Sequence, residues 1–234
     1  MSGGTGLGGI RTNGGTPDPG SKRFLELCVN TGEFQKQLTE IDVSSVASDG
    51  QLFRLIRQRY DEVRRFRVNY FLLRPVDVHF VQFSVEDRHR VGICATPMAI
   101  PSEADMKTRG YVYNPYPLDP PIPIPTETFL HYLSKPDPHE RLSWGKRMPQ
   151  KLDSSILQMQ SPPHNELVIG WGLHIIEALD KVTVLMCALA GLIVSGVVAM
   201  AWSIARDDVQ GGFGMGAWVT SVLAIVLALV ITKY

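Results

Sequence analysis

Two long uncharged apolar runs dominate the hydropathy pattern of the chain. They cover residues 182–202 and 213–232, and the ten residues between them hold the only charges of this region. At about 1.5 Å per residue, each run forms a helix roughly 30 Å long, which matches the hydrocarbon core of a bilayer. Backbone groups in hydrocarbon must bond within their own segment, so both runs are predicted to be helical. The pattern therefore predicts a transmembrane helical hairpin at residues 182–234.

Aromatic and charged residues at the ends of the two runs predict the orientation of this hairpin. Trp202 and Trp218 flank the linker, and Trp171 and Tyr234 flank the outer ends, as in the aromatic belts of membrane proteins. Both long ends of the chain are thereby expected on one side of the membrane. Two lysines border the hairpin and one arginine lies in its linker, which favours a cytosolic N-terminus and a cytosolic C-terminus. The pattern does not identify the membrane.

Small residues recur at four-residue spacing in both runs, as they do in packed membrane helices. The rows are Thr183, Cys187, Gly191, Ser195, Ala199 and Ser203 in the first run, and Gly212, Gly216, Thr220, Ala224, Ala228 and Thr232 in the second. Such a row turns by about 40° per step, so three or four members of each meet at one crossing. The residues predicted to pack the helices, or to mediate homo-oligomer contacts, are Cys187, Gly191, Ser195, Gly212, Gly216 and Ala224. The alternative is that membrane helices are simply rich in small residues.

The region ahead of the hairpin mixes strand and helix patterns. Phe24–Asn30 is a short apolar run, and Val76–Val85 with Val91–Ala95 reads as a β-hairpin. Thr126–Leu133 reads as a short helix with Thr126 as its N-cap. Residues 170–181 are expected at the membrane interface, leading the chain into the first span. The predicted fold class is an α+β soluble domain followed by an all-α two-helix hairpin.

A longer amphipathic helix is predicted to begin at Ser48. Ser48 followed by Gln51 fits a capping box at the helix start. A stripe about 100° wide is predicted to face the core, and its residues are Leu52, Leu55, Ile56, Val63 and Phe66.

Arginines crowd the polar side of this helix. Arg54, Arg57, Arg64 and Arg65 lie on one side, with Asp61 among them at four-residue spacing from two of the arginines. Two interpretations remain open, a solvated face with ion pairs or a surface for lipid headgroups or a protein partner. The 23 basic and 23 acidic residues of the chain cancel, and nucleic acid is not expected as a partner.

Composition predicts the remaining organisation. Residues 1–23 contain eight glycines and no apolar stretch, so they are predicted to be a disordered leader. The soluble domain is expected at residues 24–181, with a proline-rich arm at 115–125 that either packs on its own domain or binds an SH3 or WW module. Three cysteines without paired spacing fit a reducing compartment.

No motif predicts catalysis, a metal or a cofactor. The chain lacks G-x-S-x-G, a Walker A loop, H-E-x-x-H and Cys-x-x-Cys. The one conceivable nucleophile and base are Cys94 with His79 or His89, which lie near the same predicted β-hairpin. No catalytic, cofactor-binding or metal residue is therefore predicted.

Four sequence blocks together carry a resemblance to a known group. They are DGQLFRLIRQRY (49–60), PPIPIPTETFLHYL (120–133), GWGLHIIEALDK (170–181) and WSIARDDVQGGFGMGAW (202–218). With them, residues 45–234 resemble an uncharacterised group of predicted membrane proteins from filamentous fungi. The resemblance implies a variable leader, a compact soluble region and a two-helix end. It implies no activity, cofactor or site residue.

Three functions follow from these features. The first is a membrane-anchored, non-enzymatic interaction or adaptor protein at a cytosolic membrane face, with the lipid bilayer and a protein bound through the arginine helix or the proline-rich arm as its partners. The second is a membrane-active effector of the cell-death kind, whose hairpin oligomerises in the bilayer. Since both spans lack polar residues beyond serine and threonine, a conducting pore is disfavoured. The third is an enzyme without a recognisable motif.

Overall fold

The computed structural model describes residues 21–32, 34–65, 67, 70–87, 89–113, 124–136, 140–158 and 167–232. Its strands are β1 (Arg23–Asn30), β2 (Lys36–Asp42), β3 (Leu73–Asp87), β4 (Arg90–Ala95), β5 (Tyr111–Val112), β6 (Gln150–Leu152) and β7 (Val168–Leu179). Its helices are α1 (Asp49–Arg64), α2 (Glu103–Arg109), α3 (Thr126–Ser134), α4 (Lys181–Arg206) and α5 (Val209–Thr232). A mixed sheet with helices, followed by two long apolar helices, confirms the predicted fold class. The predicted leader, apart from residues 21–23, and residues 115–123 of the predicted proline-rich arm lie outside the described residues.

Seven strands form one mixed sheet that closes on itself. The order is β2, β4, β3, β7, β1, β6, β5, and β2 also pairs with β1, so that five of the strands form a ring. β3 and β7 are antiparallel along most of their length, whereas β7 and β1 are parallel. The ring closes between β2 and β4, where Gln37 opposes Arg90 and the Leu38 N–H donates to the His89 carbonyl oxygen at 2.7 Å. Closure leaves these five strands with few unpaired edges.

The two faces of this sheet carry separate apolar clusters. Leu25, Leu27 and Val29 of β1 belong to the larger cluster, which α1 and α3 cover. Cys28, between them, points to the opposite face and packs in the smaller cluster with Phe83 of β3. The alternation follows from the two-residue period of a strand. It also explains why β1 reads as a continuous apolar run, since both of its faces are buried.

Helix α1 begins where its cap predicts but buries a different stripe. The Ser48 hydroxyl accepts a hydrogen bond from the Gln51 N–H, which confirms the predicted start. The buried side chains on its apolar face are Leu52, Phe53, Ile56, Tyr60 and Arg64, whereas Leu55 and Val63 are only partly buried. Phe66 lies outside the described residues. Phe53 replaces Leu55 in the core because its ring packs on Phe129 of α3, with centroids 5.2 Å apart.

The predicted membrane-interface segment is a core strand instead. Residues 168–179 form β7, which lies between β3 and β1. Trp171, expected in an aromatic belt, is 3 % exposed, and its ring meets that of Tyr111 edge to face at 5.3 Å. The backbone N–H of Trp171 donates to the Tyr111 hydroxyl at 3.2 Å. The interface prediction was wrong because pairing with β3 and β1, a tertiary effect, buries this segment; a Cβ on Gly172 would lie 2.4 Å from the Glu26 carbonyl oxygen of β1.

The other elements match the predictions with one exception. β1, the β3–β4 hairpin and α3 occur within a few residues of their expected bounds. Thr126, however, does not cap α3: its hydroxyl donates to Asp77 Oδ1 at 2.6 Å, and Pro125 occupies the N-cap. Ile124, at the end of the proline-rich segment, is buried in the larger core. This end of the segment therefore packs on its own domain.

Both hairpin helices are longer than predicted, and the turn between them is shorter. α4 extends to Arg206 and α5 begins at Val209. Asp207 ends α4 in the left-handed conformation, with φ of 48°, and Asp208 Oδ1 accepts a hydrogen bond from the Gly211 N–H at 2.9 Å. Aspartate tolerates left-handed backbone and satisfies free N–H groups at a helix start. The pair therefore makes a tight turn where the charge pattern suggested ten linker residues.

Candidate functional site

The sheet passes directly into the hairpin through Asp180. Its Oδ1 accepts a hydrogen bond from the Val182 N–H at 3.2 Å, and its Oδ2 accepts one from the Thr183 hydroxyl at 2.8 Å. The Asp180 N–H donates to the Leu72 carbonyl oxygen at 2.8 Å. One residue thus caps α4 and ties it to the turn that precedes β3. No flexible linker separates the last strand of the domain from the first hairpin helix.

Small residues bring α4 and α5 into contact near their middle. The Ser195 hydroxyl donates to the Gly216 carbonyl oxygen at 2.8 Å and lies 3.0 Å from the Thr220 hydroxyl. A Cβ on Gly216 would lie 3.1 Å from Ala199 Cβ, and one on Gly191 would lie 2.2 Å from a methyl of Leu223. Close approach of this kind requires residues without bulky side chains.

Five of the six residues expected to pack the helices face the interface to some degree. Ser195, Gly212 and Gly216 are buried, while Cys187 and Gly191 are half-buried. The exception is Ala224, which is exposed, so its predicted packing within the hairpin is wrong, while its role in homo-oligomer contacts stays a prediction. Among the α5 side chains described beyond Gly216, up to residue 229, the half-buried ones are Val219, Thr220, Leu223 and Leu227. On α5 the interface therefore continues in steps of three and four residues, whereas the four-residue row of α4 from Thr183 to Ser203 is half-buried or buried throughout.

The four arginines predicted on one surface separate into two groups. Arg54, Arg57 and Arg65 are exposed on α1. Arg64 is buried, with 6 % of its surface accessible, so its placement on a lipid or partner surface is wrong. The physical reason is a buried acidic partner, Glu177 of β7, that the sequence of the helix does not reveal.

Arg64 belongs to a buried network beside the start of α4. Glu177 accepts a hydrogen bond from the Tyr60 hydroxyl at 2.6 Å and another from Arg67, and it lies 3.6 Å from Arg64 Nε. Arg64 also donates to Tyr60 and to the carbonyl oxygens of Tyr70 and Leu73. Burial and the charge of Glu177 raise the pKa of Tyr60, which keeps its hydroxyl protonated. The network joins α1 to the last strand before the hairpin.

A pocket of about 510 Å³ opens next to this network, between α1, α3 and the start of β3. Its charged side chains are Arg57, Arg64, Arg74, Asp61 and Glu127, and its apolar wall is formed by Pro75, Leu130 and Leu133. Both signs of charge therefore line one cavity.

Two of the pocket arginines already have partners, one within the lining and one beside it. Arg57 Nη1 donates to the Ser134 carbonyl oxygen at 3.0 Å and its Nε lies 3.8 Å from Asp61. Arg74 Nη1 lies 3.7 Å from Asp180 Oδ1, the N-cap of α4. The pocket therefore borders the first turn of the hairpin.

A second polar cluster lies inside the sheet. Glu26 of β1 is fully buried and accepts a hydrogen bond from the Tyr111 hydroxyl at 2.6 Å. Desolvation raises its pKa well above the ordinary value, and desolvation lowers the pKa of Lys151, whose ammonium lies over the Tyr111 ring. Opposite Glu26 on β2, Glu40 accepts hydrogen bonds from the Ile156 and Leu157 N–H groups. The cluster ties β1, β2, β5 and β6 together.

Two of the residues weighed for catalysis, His79 and Cys94, each form hydrogen bonds with other groups. His79 lies 3.2 Å from Asp77 Oδ2 through Nε2 and 2.9 Å from the Thr96 hydroxyl through Nδ1. Cys94 is exposed, and its thiol points to the Gly92 carbonyl oxygen at 3.9 Å. Within the described part of the chain, no three His, Cys, Asp or Glu side chains are placed to hold a metal ion.

The hairpin and its junction with the domain are the main basis for a functional proposal. The chain matches no protein-family model, and comparisons with curated proteins and with solved structures give no match. Within the described residues, Lys181–Arg206 and Val209–Leu229 are long and apolar enough to cross a membrane, and few of their residues are buried. Among the features described, these candidate spans and the pocket beside them suggest a function most directly.

Proposed function

We propose that this protein is a non-enzymatic interaction protein that its C-terminal hairpin anchors at a cytosolic membrane face. The observation that carries the proposal is the uncovered apolar surface of α4 and α5. Ile204 is 83 % exposed, and Phe213 and Ile193 are also largely accessible. Contiguous apolar surface of this extent is unfavourable in water, whereas lipid chains solvate it.

Helix lengths and direction support an anchor with both long ends on one side. α4 has 26 residues and α5 has 24, so at 1.5 Å per residue they extend about 39 and 36 Å. Both exceed the roughly 30 Å hydrocarbon core, and their ends reach the headgroup layer. Contacts of Gly191 with Leu223, and of Ser195 with Gly216, require the helices to run antiparallel. The domain and the end of α5 therefore lie on the same face.

A cytosolic location of the domain is supported by charge and thiol chemistry. Lys181 precedes the first span, and Arg206 is the one basic residue at the turn. Cys28 and Cys94 are both free thiols, as expected in a reducing compartment.

The direct, hydrogen-bonded junction at Asp180 supports a domain held against the membrane in one orientation. Tyr70 and Phe71, on the turn beside the start of α4, are exposed aromatic residues, and aromatic side chains favour the interface of a bilayer. The exposed arginines of α1, Arg54, Arg57 and Arg65, are the surface proposed for a protein partner or lipid headgroups. Holding the domain close raises the local concentration of this surface for partners at the same membrane.

Thiol accessibility in sealed vesicles with the cytosolic side outward tests the proposed topology. An impermeant maleimide should label native Cys94 without detergent, whereas a cysteine placed at the turn by Asp208→Cys should react only after detergent is added. Labelling of the turn position in intact vesicles, with Cys94 protected, would reverse the orientation. Labelling of both positions without detergent would overturn the spanning hairpin.

Proximity labelling from an N-terminal tag tests the interaction role. The full chain should label a reproducible set of cytosolic membrane proteins. A set that does not differ from that of an unrelated two-span anchor would contradict an interaction function. Leakage of liposomes carrying the full chain, absent from liposomes carrying the unrelated anchor, would instead favour a membrane-active effector.

A further inference from the structure

We infer that the pocket between α1, α3 and the start of β3 binds the headgroup of a zwitterionic amine-bearing phospholipid, of the phosphoethanolamine class. The inference rests on the proposed function, because the anchor is what brings a headgroup to the pocket. It concerns a small-molecule site that the exposed arginines alone do not define.

The position of the pocket favours a lipid ligand. Arg74 lines it and also reaches the N-cap of α4, with its Nη1 3.7 Å from Asp180 Oδ1. An α4 of about 39 Å in a 30 Å hydrocarbon core places its first turn in the headgroup layer. The guanidinium of Arg74 therefore lies at the level of lipid phosphates.

The charges of the pocket favour a zwitterion over an anion. Arg57 and Arg74 supply accessible guanidinium groups, which bind phosphate oxygens through paired N–H donors, whereas Arg64 is already bonded within the buried network. Asp61 and Glu127 line the same cavity, and their carboxylates would repel a purely anionic headgroup. An ammonium group, with three N–H donors, satisfies both of these carboxylates. A phosphate and an amine on one ligand complement the two signs of charge together.

The residues that line the pocket also favour a primary amine over a quaternary one. A trimethylammonium group is usually recognised by the faces of several aromatic rings. Besides the imidazole of His131, Tyr60 is the one aromatic side chain in the described lining, and its hydroxyl is bonded to Glu177. The wall formed by Pro75, Leu130 and Leu133 is apolar and suits the glycerol and upper acyl carbons. The cavity of about 510 Å³ is in the usual range for such a ligand.

Native mass spectrometry of the full chain in detergent tests this site with three defined lipids. Phosphatidylethanolamine, phosphatidylcholine and phosphatidylglycerol of equal chain length are titrated separately, and the single-lipid adduct is quantified. The expected result is an affinity for phosphatidylethanolamine about tenfold above that for either of the others. Equal affinities for the three lipids, or tighter binding of phosphatidylglycerol, would overturn the inference.

Substitution of one basic and one acidic residue of the pocket tests whether the bound lipid occupies the pocket. Arg74→Gln and Glu127→Gln change exposed side chains and are each expected to weaken phosphatidylethanolamine binding about tenfold. Glu127→Gln should also relatively favour phosphatidylglycerol, because a repulsive carboxylate is lost. The matched controls are Arg59→Gln and Glu62→Gln, which pair with each other on α1 outside the pocket and should change the affinity less than twofold.

Thermal melting of each variant is measured as well, because it separates a loss of lipid binding from a loss of folding. Variants that melt like the native chain yet bind phosphatidylethanolamine normally would refute the pocket as the site, as would equal losses in the controls. Free phosphoethanolamine provides the soluble arm, and it should compete only at concentrations at least a hundredfold above the lipid. Competition at equal concentration would show a soluble ligand and overturn the lipid assignment. The vesicle-labelling test of the anchor is independent of these titrations, because protein in detergent has no inside and outside for a reagent to distinguish. The lipid site and the proposed function can therefore fail separately.

Discussion

The buried network around Glu177 makes a quantitative prediction for the stability of the junction. Glu177→Gln keeps the size of the side chain but removes its charge. The native carboxylate is 3 % exposed, and it contacts two arginines whose side chains are 8 % and 9 % exposed. The substitution therefore leaves two buried cations without their anionic partner.

The expected destabilisation is about 3 kcal/mol, at the low end of the range of roughly 3–5 kcal/mol for breaking a buried ion pair. The low end applies because Arg64 keeps its hydrogen bonds to the Tyr70 and Leu73 carbonyl oxygens. Since each 1.4 kcal/mol is a factor of ten, amide protection in β7 should fall about a hundredfold.

Hydrogen exchange of the full chain in nanodiscs measures this effect, with peptides covering residues 168–179 as the readout. The matched control is Glu62→Gln, which removes an exposed ion pair with Arg59 at 2.8 Å. A fully exposed ion pair contributes little to stability, so the control should change protection less than fivefold. Equal changes in the two variants, or unchanged protection in Glu177→Gln, would refute the assignment of Glu177 as the anion that holds α1 to the last strand.

Three further predictions concern packing and pH. Gly212→Leu should reduce crosslinking between cysteines placed on the two hairpin helices, because a Cβ at this position would lie 2.7 Å from a carbonyl oxygen of α4. Gly214→Leu is the control and should not reduce it, because the space around Gly214 is open. Similar crosslinking yields in the two variants would contradict the packing. Gly172→Ala should destabilise the domain by roughly 1–3 kcal/mol in urea titration, since the added Cβ would lie 2.4 Å from a β1 carbonyl oxygen. Gly92→Ala should have a smaller effect, because its Cβ meets the end of an exposed side chain. A larger effect of Gly92→Ala would refute the prediction. Burial lowers the pKa of His174 to about 4. Between pH 6.5 and 4 the unfolded chain therefore binds more protons than the folded chain, and the free energy of unfolding decreases by about 3 kcal/mol as the pH is lowered through this range. His174→Gln should lose that component, and parallel stability profiles for the two chains would contradict it.

Local signals account for the parts of the fold that the sequence predicts well. The Ser48 cap, the short strand at residues 24–30 and the β-hairpin through residues 76–95 each depend on neighbouring residues in the chain. Charges and hydropathy likewise predict the two hairpin helices. The turn at Asp207 is shorter than expected because a helix extends through polar residues once its partner helix supports it.

The candidate site is the part that sequence reasoning misses. Arg64 reads as one of several surface arginines, and nothing near it in the sequence indicates that Glu177, more than a hundred residues later, neutralises it in the interior. The pocket has no sequence signature, since α1, α3 and β3 each contribute a few ordinary side chains. A buried acid on a strand otherwise rich in apolar residues is the one signal that predicts a hidden cation partner.

The sequence by itself determines that the chain ends in two apolar helices, because hydropathy and backbone hydrogen bonding in hydrocarbon are local properties of each segment. Only the tertiary structure decides how these helices join the domain. It places β7 in the middle of the sheet, buries Trp171 and Arg64, and sets Arg74 beside the first turn of α4. These features depend on pairing between distant segments, whose desolvation and charge balance are fixed only when the strands meet.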